Sequence, residues 1–319
     1  MAKAMSYRSM GNSGLKLSAF GLGGWTTYGG SVTDEALVAA IIKRAYDAGI
    51  NFYDIADIYA KGESEKAMGK VLRQFPRHTL VISTKVFWPM SEDVNDKGLS
   101  RKHIMESIDK SLQRIGTDYV DLYFCHRPDP ETPIAETVRA MDDLVRRGKV
   151  LYWGTSEWSG AQIREASAIA NRLGLYAPQV EQPQLSLLEH RIFESDTQPA
   201  AEAHGMGLVT WSPLASGLLS GKYDEGLPEG ARLSRVDWLR DKLLTDENRE
   251  RVKQLKDAIQ GLGCSRAQLA LAWVASRRGV SSVITGATSV AQLEENLGAL
   301  EIEITPAIAA RLDALFPAA

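Results

Sequence analysis

Short apolar runs rich in Val, Ile and aromatic residues recur along the chain, and each is followed by a longer segment whose apolar residues return at helical spacing. Eight such pairs can be counted. The predicted strands are Ala19 to Gly23, Asn51 to Asp54, Leu80 to Lys85, Val120 to His126, Val150 to Thr155, Pro178 to Gln182, Gly207 to Trp211 and Ser282 to Gly286. Several are apolar on both faces, the pattern of strands buried in a parallel sheet. In the first intervening segment Thr33 is the expected N-cap, and Asp34 and Glu35 suit the positive end of a helix dipole. Leu37, Ile41, Ala45 and Ala48 fall on one face, and Gly49 ends the helix. Ser64 to Gln74, Arg101 to Ile115 and Ile134 to Arg147 repeat this design.

Strands alternating with helices leave two architectures, a closed barrel or an open doubly wound sheet. No Gly-x-Gly-x-x-Gly follows any strand; the nearest match, Gly21-Leu22-Gly23-Gly24-Trp25, lacks the third glycine and does not open directly into a helix. Polar candidates instead fall at the C-terminal ends of consecutive strands, where a barrel collects its active site. The expected fold is therefore α/β, a (β/α)8 TIM barrel forming a single domain over residues 1–319. A short hairpin, Tyr7 to Arg8 with Leu15 to Leu17 about Gly11-Asn12-Ser13-Gly14, is expected to plug the barrel floor. Ser212 to Thr245 is long for a β-α connection and rich in Gly, Pro and Ser before it turns basic, which suits a functional lid. Asp246 to Leu262 and Ser265 to Ser276 read as further helices, and Thr305 to Leu315 as a closing helix with Pro306 in its first turn.

The composition adds limits. Of 319 residues 44% are hydrophobic and 24% charged, enough for a sizeable core and unlike a disordered chain. With a net charge of -3 and no Lys/Arg block long enough to track phosphates, nucleic acid is not an expected partner. Met1 to Arg8 has no apolar h-region, and no apolar run approaches the ~20 residues needed to span a bilayer. Membrane insertion is not expected, and residence in the cytoplasm is. Cys125 and Cys264 are too few for a disulfide framework or a four-ligand zinc site, and no acidic or His cluster has the spacing of metal ligands.

Four residues near strand ends form a chemical set: Asp54, Tyr59, Lys85 and His126. A phenol with an ordinary pKa of ~10 becomes a useful acid near neutrality only where its phenolate is stabilised. Lys85 can supply the cation, Asp54 can hold that lysine charged and in place, and His126 can donate to a carbonyl oxygen on which charge develops. The set suits proton delivery to a carbonyl that receives a hydride. Taken singly, each has a plainer role: packing for the tyrosine, a helix cap for the aspartate, a solvated side chain for the lysine. A Schiff base on Lys85 is a further alternative.

The same residues lie in motifs that resemble the aldo-keto reductases. Gly23-Gly24-Trp25, the stretch Asn51 to Tyr59 with Gly62 to Glu65, Ser83-Thr84-Lys85 and Asp121 to Arg127 carry the likeness, as do Gly148-Lys149-Val150, Trp153 to Ser156, Trp211 to Leu214 and Gly286-Ala287-Thr288. Within that family the chain is similar to the branch containing the β-subunits of voltage-gated potassium channels, through Trp158-Ser159, Trp211 to Tyr223, Gly263-Cys264, Val280 to Val283 and Gln292 to Asn296.

The resemblance implies an NADPH-dependent reductase of aldehydes and other reactive carbonyls, built as a barrel that binds NADP(H) without a Rossmann glycine loop. It implies Tyr59 as general acid, Lys85 and Asp54 as its tuning pair, and His126 as the donor that orients the carbonyl. Ser156 and Gln182 would hold the nicotinamide carboxamide, and Trp211 would stack on the ring. Ser212, Pro213, Leu214, Ser216 and Lys222 would lie along the pyrophosphate. Arg232, Thr288 and Gln292 would gather at the 2′-phosphate, Glu295 and Asn296 at the adenine, with Gly24, Trp25 and Gly286 among the cofactor contacts. Cations at Lys222 and Arg232, and a helix beginning near Ser289, suit a polyanionic cofactor and favour NADPH over NADH. Trp25, Tyr28, Trp88 and Trp158 are the expected aromatic wall of the substrate pocket.

Departures qualify the likeness. Channel subunits of the branch carry Asn where this chain has His126, which favours the reductase over a regulatory or redox-sensing subunit with slow turnover. Glu157 stands where the branch often has Arg, and Gly230 where it often has an aromatic over the cofactor, which bears on affinity and release. The long basic N-terminal extension of many channel subunits is not seen. Substrate identity, physiological direction and assembly into a homo-oligomer are left open.

Overall fold

The computed structural model describes residues 4–317, so the reading of Met1 to Lys3 and the outer limits of the 1–319 span lie outside the described residues. A two-stranded antiparallel hairpin, β1 (Tyr7–Ser9) and β2 (Lys16–Ser18), precedes the sheet. Eight parallel strands follow: β3 (Phe20–Gly23), β4 (Phe52–Asp54), β5 (Val81–Val86), β6 (Val120–Cys125), β7 (Val150–Thr155), β8 (Val180–Glu181), β9 (Gly207–Thr210) and β10 (Val280–Thr285). They close in chain order, with β10 pairing both β9 and β3, into the expected (β/α)8 TIM barrel.

Alternation along the strands sorts their side chains between two cores. Phe52, Val81, Leu122, Phe124, Val180, Val209 and Ile284 pack together inside the barrel, while Tyr123 and Cys125, one residue out of phase, join the larger core beneath the helices. The hairpin closes the inner core from below, as its sequence predicts. Met10 and Leu17 have no exposed surface and belong to the inner cluster, and Arg8 Nη1 donates to the carbonyls of Ala275 and Val280 at 2.6 and 3.0 Å.

Helices Arg101–Ile115 and Ile134–Arg146 form where the pattern predicts; the first is capped by Ser100 and stopped by left-handed Gly116. The first helix is Glu35–Asp47, and its N-cap is Asp34 rather than Thr33, because the Asp34 carboxylate accepts from the amides of Ala36 and Leu37. Its buried stripe is correspondingly Val38, Ile41, Ile42 and Ala45, and Ala48 is the C-cap. The next helix is Glu63–Leu72; Gly69 in it lies so near the following helix that an added Cβ would meet Ile115 O at 2.3 Å. Asp246–Ala258, Arg266–Ser276, Val290–Leu297 and Pro306–Leu315 complete the far side. The stretch after β9 is not a bare loop. It carries a 3-10 turn at Ala215–Ser220 and short helices at Arg232–Arg235 and Asp237–Leu243, fastened where buried Tyr223 OH accepts from Leu233 N at 3.2 Å and Asp224 pairs with Arg266 at 2.7 Å. No helix among the described residues is long and apolar enough to cross a membrane.

Candidate active site

The inner face of the barrel changes chemistry as it rises. Phe52 and Asp54 share a face of β4, as do Val81, Ser83 and Lys85 on β5, so the strand period that puts an apolar side chain in the interior puts a polar one two or four residues above it. The same count carries Leu122 and Phe124 to His126, Val180 to Gln182, and Val209 to Trp211. Each of the last three follows its strand directly, and backbone pairing runs on through them: His126 N donates to Val86 O at 2.9 Å, Gln182 N to Thr155 O at 2.8 Å, and Trp211 N to Pro183 O at 3.1 Å. The candidate site is thus the top layer of the barrel's own interior.

Lys85 is the hub of this layer. With none of its surface exposed, its Nζ donates to Asp54 Oδ2 at 2.6 Å, to Ile55 O at 2.7 Å and to Tyr59 OH at 3.0 Å. The other carboxylate oxygen of Asp54 accepts from Ser83 Oγ at 2.7 Å and from Gln182 Nε2 at 2.9 Å. Burial lowers the pKa of Lys85, and Asp54 opposes that shift. For Tyr59 burial raises the pKa well above 10, Asp54 adds to the rise, and the charge of Arg127 works against it. Burial, Lys85 and Arg127 together push His126 well below 6.5, so its ring is neutral at pH 7. The His126 ring lies edge-on to Tyr59 with centroids 5.8 Å apart, and its buried Nδ1 has no partner among the described residues.

Tyr59 owes its position to an uncommon turn. Ala60 and Lys61 both adopt left-handed backbone, with φ 50 and 54°, before Gly62 at φ 91° opens the next helix. Two consecutive non-glycine residues there cost roughly 1–3 kcal/mol each, which the surrounding structure must sustain.

A second group surrounds the mouth. Trp25 and Trp211 meet edge to face with centroids 5.9 Å apart, and Trp88 is 38% exposed beside His126. Tyr28 and Trp158 do not join them; both are buried, and Tyr28 OH donates to Ala287 O at 3.0 Å. Glu157, itself left-handed at φ 59°, accepts from Gln184 N at 2.6 Å and from Trp211 Nε1 at 2.9 Å, so the departure noted in sequence has become the residue that fixes the Trp211 indole. Gly230, at φ 71°, has open space about it.

The remaining candidates trace an arc from β9 to β10. Ser212, Ala215, Ser216 and Gly217 all have positive φ, a run whose amides form a concavity of the kind that receives anions, and Pro213 and Leu214 lie within it. The buried Ser216 Oγ has no partner among the described residues, and exposed Lys222 crosses Gly217. Arg232 stacks on Trp25 at 5.2 Å, donates to Trp25 O at 3.4 Å, and reaches Gly286. Beyond it Thr288 N and Oγ1 both donate to Gln292 Oε1 at 2.9 Å, and Asn296 Nδ2 donates to Gly286 O at 3.1 Å. Exposed Glu295 uses its backbone carbonyl to accept from Gln268. Gly24 is wedged against Ser64 Oγ and donates through its amide to Asp54 O at 2.9 Å, which makes it part of the frame behind Asp54. Ser156 Oγ donates to Gln182 O at 2.9 Å.

Sequence reasoning missed Ser83 and gave Arg127 no role. Ser83 was legible as the residue two before Lys85 on the same strand face; Arg127, just past a strand end, carried no periodic signal.

A model described as the aldo/keto reductase family matches residues 19–316. A probable voltage-gated potassium channel subunit beta of Oryza sativa subsp. japonica is 45% identical over 318 residues, 98% of this chain and 96% of that protein. A probable subunit of the same kind from Arabidopsis thaliana is 46% identical over 303 residues, 93% and 92% of the two chains. A putative one from Schizosaccharomyces pombe (strain 972 / ATCC 24843) is 43% identical over 320 residues, 98% and 93%.

Proposed function

The chain belongs to the aldo/keto reductase family, and from that premise we propose that it reduces aldehydes and other reactive carbonyls to alcohols with NADPH. The observation that carries the reading is the contact of Lys85 Nζ with both Asp54, at 2.6 Å, and Tyr59 OH, at 3.0 Å, beneath an open aromatic mouth. A phenol whose pKa is raised by burial keeps its proton until a stronger base appears beside it. An oxygen gaining negative charge is such a base. As Tyr59 gives up its proton, the ammonium at 3.0 Å stabilises the phenolate that forms, and Asp54 keeps that ammonium charged and aimed. His126, being neutral, orients the carbonyl oxygen through a ring N–H without adding a competing acid.

NADPH, when bound, supplies the hydride to the carbonyl carbon. The residues present fit it on three grounds. Ser216 Oγ is buried without a partner, the backbone from Ser212 to Gly217 presents an anion-receiving concavity, and Lys222 and Arg232 have no carboxylate partner among the described residues. Ser212, Pro213, Leu214, Ser216 and Lys222 would hold the pyrophosphate, with Arg232, Thr288 and Gln292 at the 2′-phosphate. Glu295 and Asn296 would face the adenine beside Gly286. Ser156 and Gln182 would take the carboxamide, and Trp211, fixed by Glu157, one face of the nicotinamide ring.

Tyr59→Phe is the direct test. We expect turnover to fall by about 10²–10⁴-fold, the usual worth of a positioned general acid, while NADPH affinity by fluorescence titration changes little. Aldehyde reduction at the parent rate would reject Tyr59 as the acid. A second reading, an NADPH-binding regulatory subunit with slow turnover, is favoured by the names of the three relatives. Recovery of a stable membrane-protein partner together with negligible aldehyde reduction would place it first.

A further inference from the structure

Arg127 is a cation with an unexplained position. It follows His126 at the top of β6, is half-buried, and has no carboxylate partner among the described residues. Its Nη1 donates to His126 O and lies 3.4 Å from Ser156 Oγ. Several other half-buried arginines are matched, Arg77 to Asp121, Arg114 to Glu65, Arg266 to Asp224 and Arg277 to Glu194, whereas Arg232, which stacks on Trp25, shares with Arg127 the lack of a carboxylate partner among the described residues. Half-buried Arg8 and exposed Arg311 instead donate to carbonyls at helix ends. A chain with 40 acidic and 37 basic residues does not leave an arginine unmatched for want of acids. The carboxylate next to Ser156, Glu157, is taken up by Gln184 and Trp211.

The surroundings fix the direction of this cation. Its guanidinium sits 5.7 Å from the centre of the Trp211 ring and 6.0 Å from that of Trp88, held between the two indoles that wall the mouth. Its charge reaches inward as well, lowering the pKa of Tyr59, of Lys85 and of His126. Ring contacts join the same region: Trp88, under the guanidinium, lies 6.3 Å from the His126 ring, which lies 5.8 Å from that of Tyr59. A planar fork of donors, desolvated on its faces by indole rings and left without an anion, is the arrangement that receives two oxygens of a carboxylate or phosphate.

Resting on the reductase reading above, we propose that Arg127 sets specificity by anchoring an anionic group, carboxylate or phosphate, on the carbonyl substrate, whose apolar body lies against the exposed part of Trp88. The preferred substrates are aldehydes that carry such an anion a short distance from the reacting carbon.

The test compares kcat/KM for benzaldehyde, the three isomeric formylbenzoates and 4-formylphenyl phosphate in the parent, Arg127→Gln and Arg127→Lys proteins. In the parent the best formylbenzoate or the phosphate ester should exceed benzaldehyde, mainly through KM, and the advantage should shrink as salt is added. Arg127→Gln should cut the ratio of anionic to neutral kcat/KM by about 10- to 100-fold, the worth of a hydrogen-bonded charge pair, and Arg127→Lys by less. A response confined to the formylbenzoates assigns the anion as carboxylate, and one confined to the ester as phosphate. An unchanged ratio in Arg127→Gln would overturn the role of Arg127 while leaving carbonyl reduction intact. A matching loss of NADPH affinity in that variant would also overturn it, by making Arg127 a cofactor residue. Failure of the parent to reduce any of these aldehydes would overturn both readings together.

Discussion

An ammonium with no exposed surface would ordinarily lose its proton or draw in water, yet Lys85 is surrounded by three oxygens within 3.0 Å and one of them belongs to a carboxylate. Burial sets the protonation of its neighbours, with Asp54 adding to the shift of Tyr59 and Lys85 to that of His126. Tyr59 is held well above 10 and His126 well below 6.5, so neither changes state between about pH 7 and 9. In the mechanism proposed above reduction uses the protonated phenol, so its rate should be level across that window and fall only as the pH climbs towards the raised pKa of Tyr59. The reverse reaction needs the phenolate and should quicken with pH over the same range. Steady-state profiles of kcat in both directions check this, and a reductive rate that halves near pH 7.5 in the parent but not in a His126→Gln protein would contradict the neutral ring.

Among the elements, the contact between the helices Glu63–Leu72 and Arg101–Ile115 is as near as backbones come, since Gly69 leaves only 2.3 Å between a would-be Cβ and Ile115 O. Gly69→Ala should therefore destabilise the protein by about 1–3 kcal/mol in urea unfolding, despite the better helix propensity of alanine. Helix and strand positions were largely legible because the 3.6 and 2.0 periods are strong here and Ser100 with Gly116 marks both ends of one helix. Asp34 was mistaken for a first-turn residue because Thr33 beside it is also a capping type, and only the hydrogen bonds decide between them. The short helices after β9 were not legible. Gly, Pro and Ser dominate that stretch, and what orders it is tertiary: Tyr223, the buried Leu233 and the Arg266–Asp224 pair. Tyr28 and Trp158 stand just beyond strand ends, where alternation no longer says which way a side chain turns. The link from Gln182 to Asp54 spans 128 residues and follows only once the barrel order is known.

For the whole molecule, the hairpin and two buried acids govern stability. Leu17→Ala should cost about 2–5 kcal/mol, because it opens a void in the inner core at a site with no exposed surface. Burial raises Asp57 from 3.8 to about 7 and Glu181 from 4.5 to about 8, the second although Thr155 Oγ1 donates to one of its oxygens. A carboxyl whose folded pKa lies above its unfolded value stabilises most fully below the unfolded pKa, and that stability is lost as pH rises towards the folded one. Unfolding free energy should thus decline between about pH 4 and 8 on account of these groups. Glu181→Gln should flatten that decline when urea midpoints are compared across the range, and identical slopes in the two proteins would count against a neutral Glu181.

The hairpin also imposes an order in time. Residues 8 to 17 leave the ribosome long before some of their partners, for Arg8 pairs with Ala275 and Val280, and Met10 and Leu17 pack with Val209 and Ile284. A growing chain holds its plug ready but cannot complete the seal until β10 is made, since the two carbonyls that Arg8 donates to lie 267 and 272 positions downstream. Nascent chains stalled before β10 should accordingly leave Met10 open to protease, and folding should end in one late, concerted step instead of accumulating from the N-terminus.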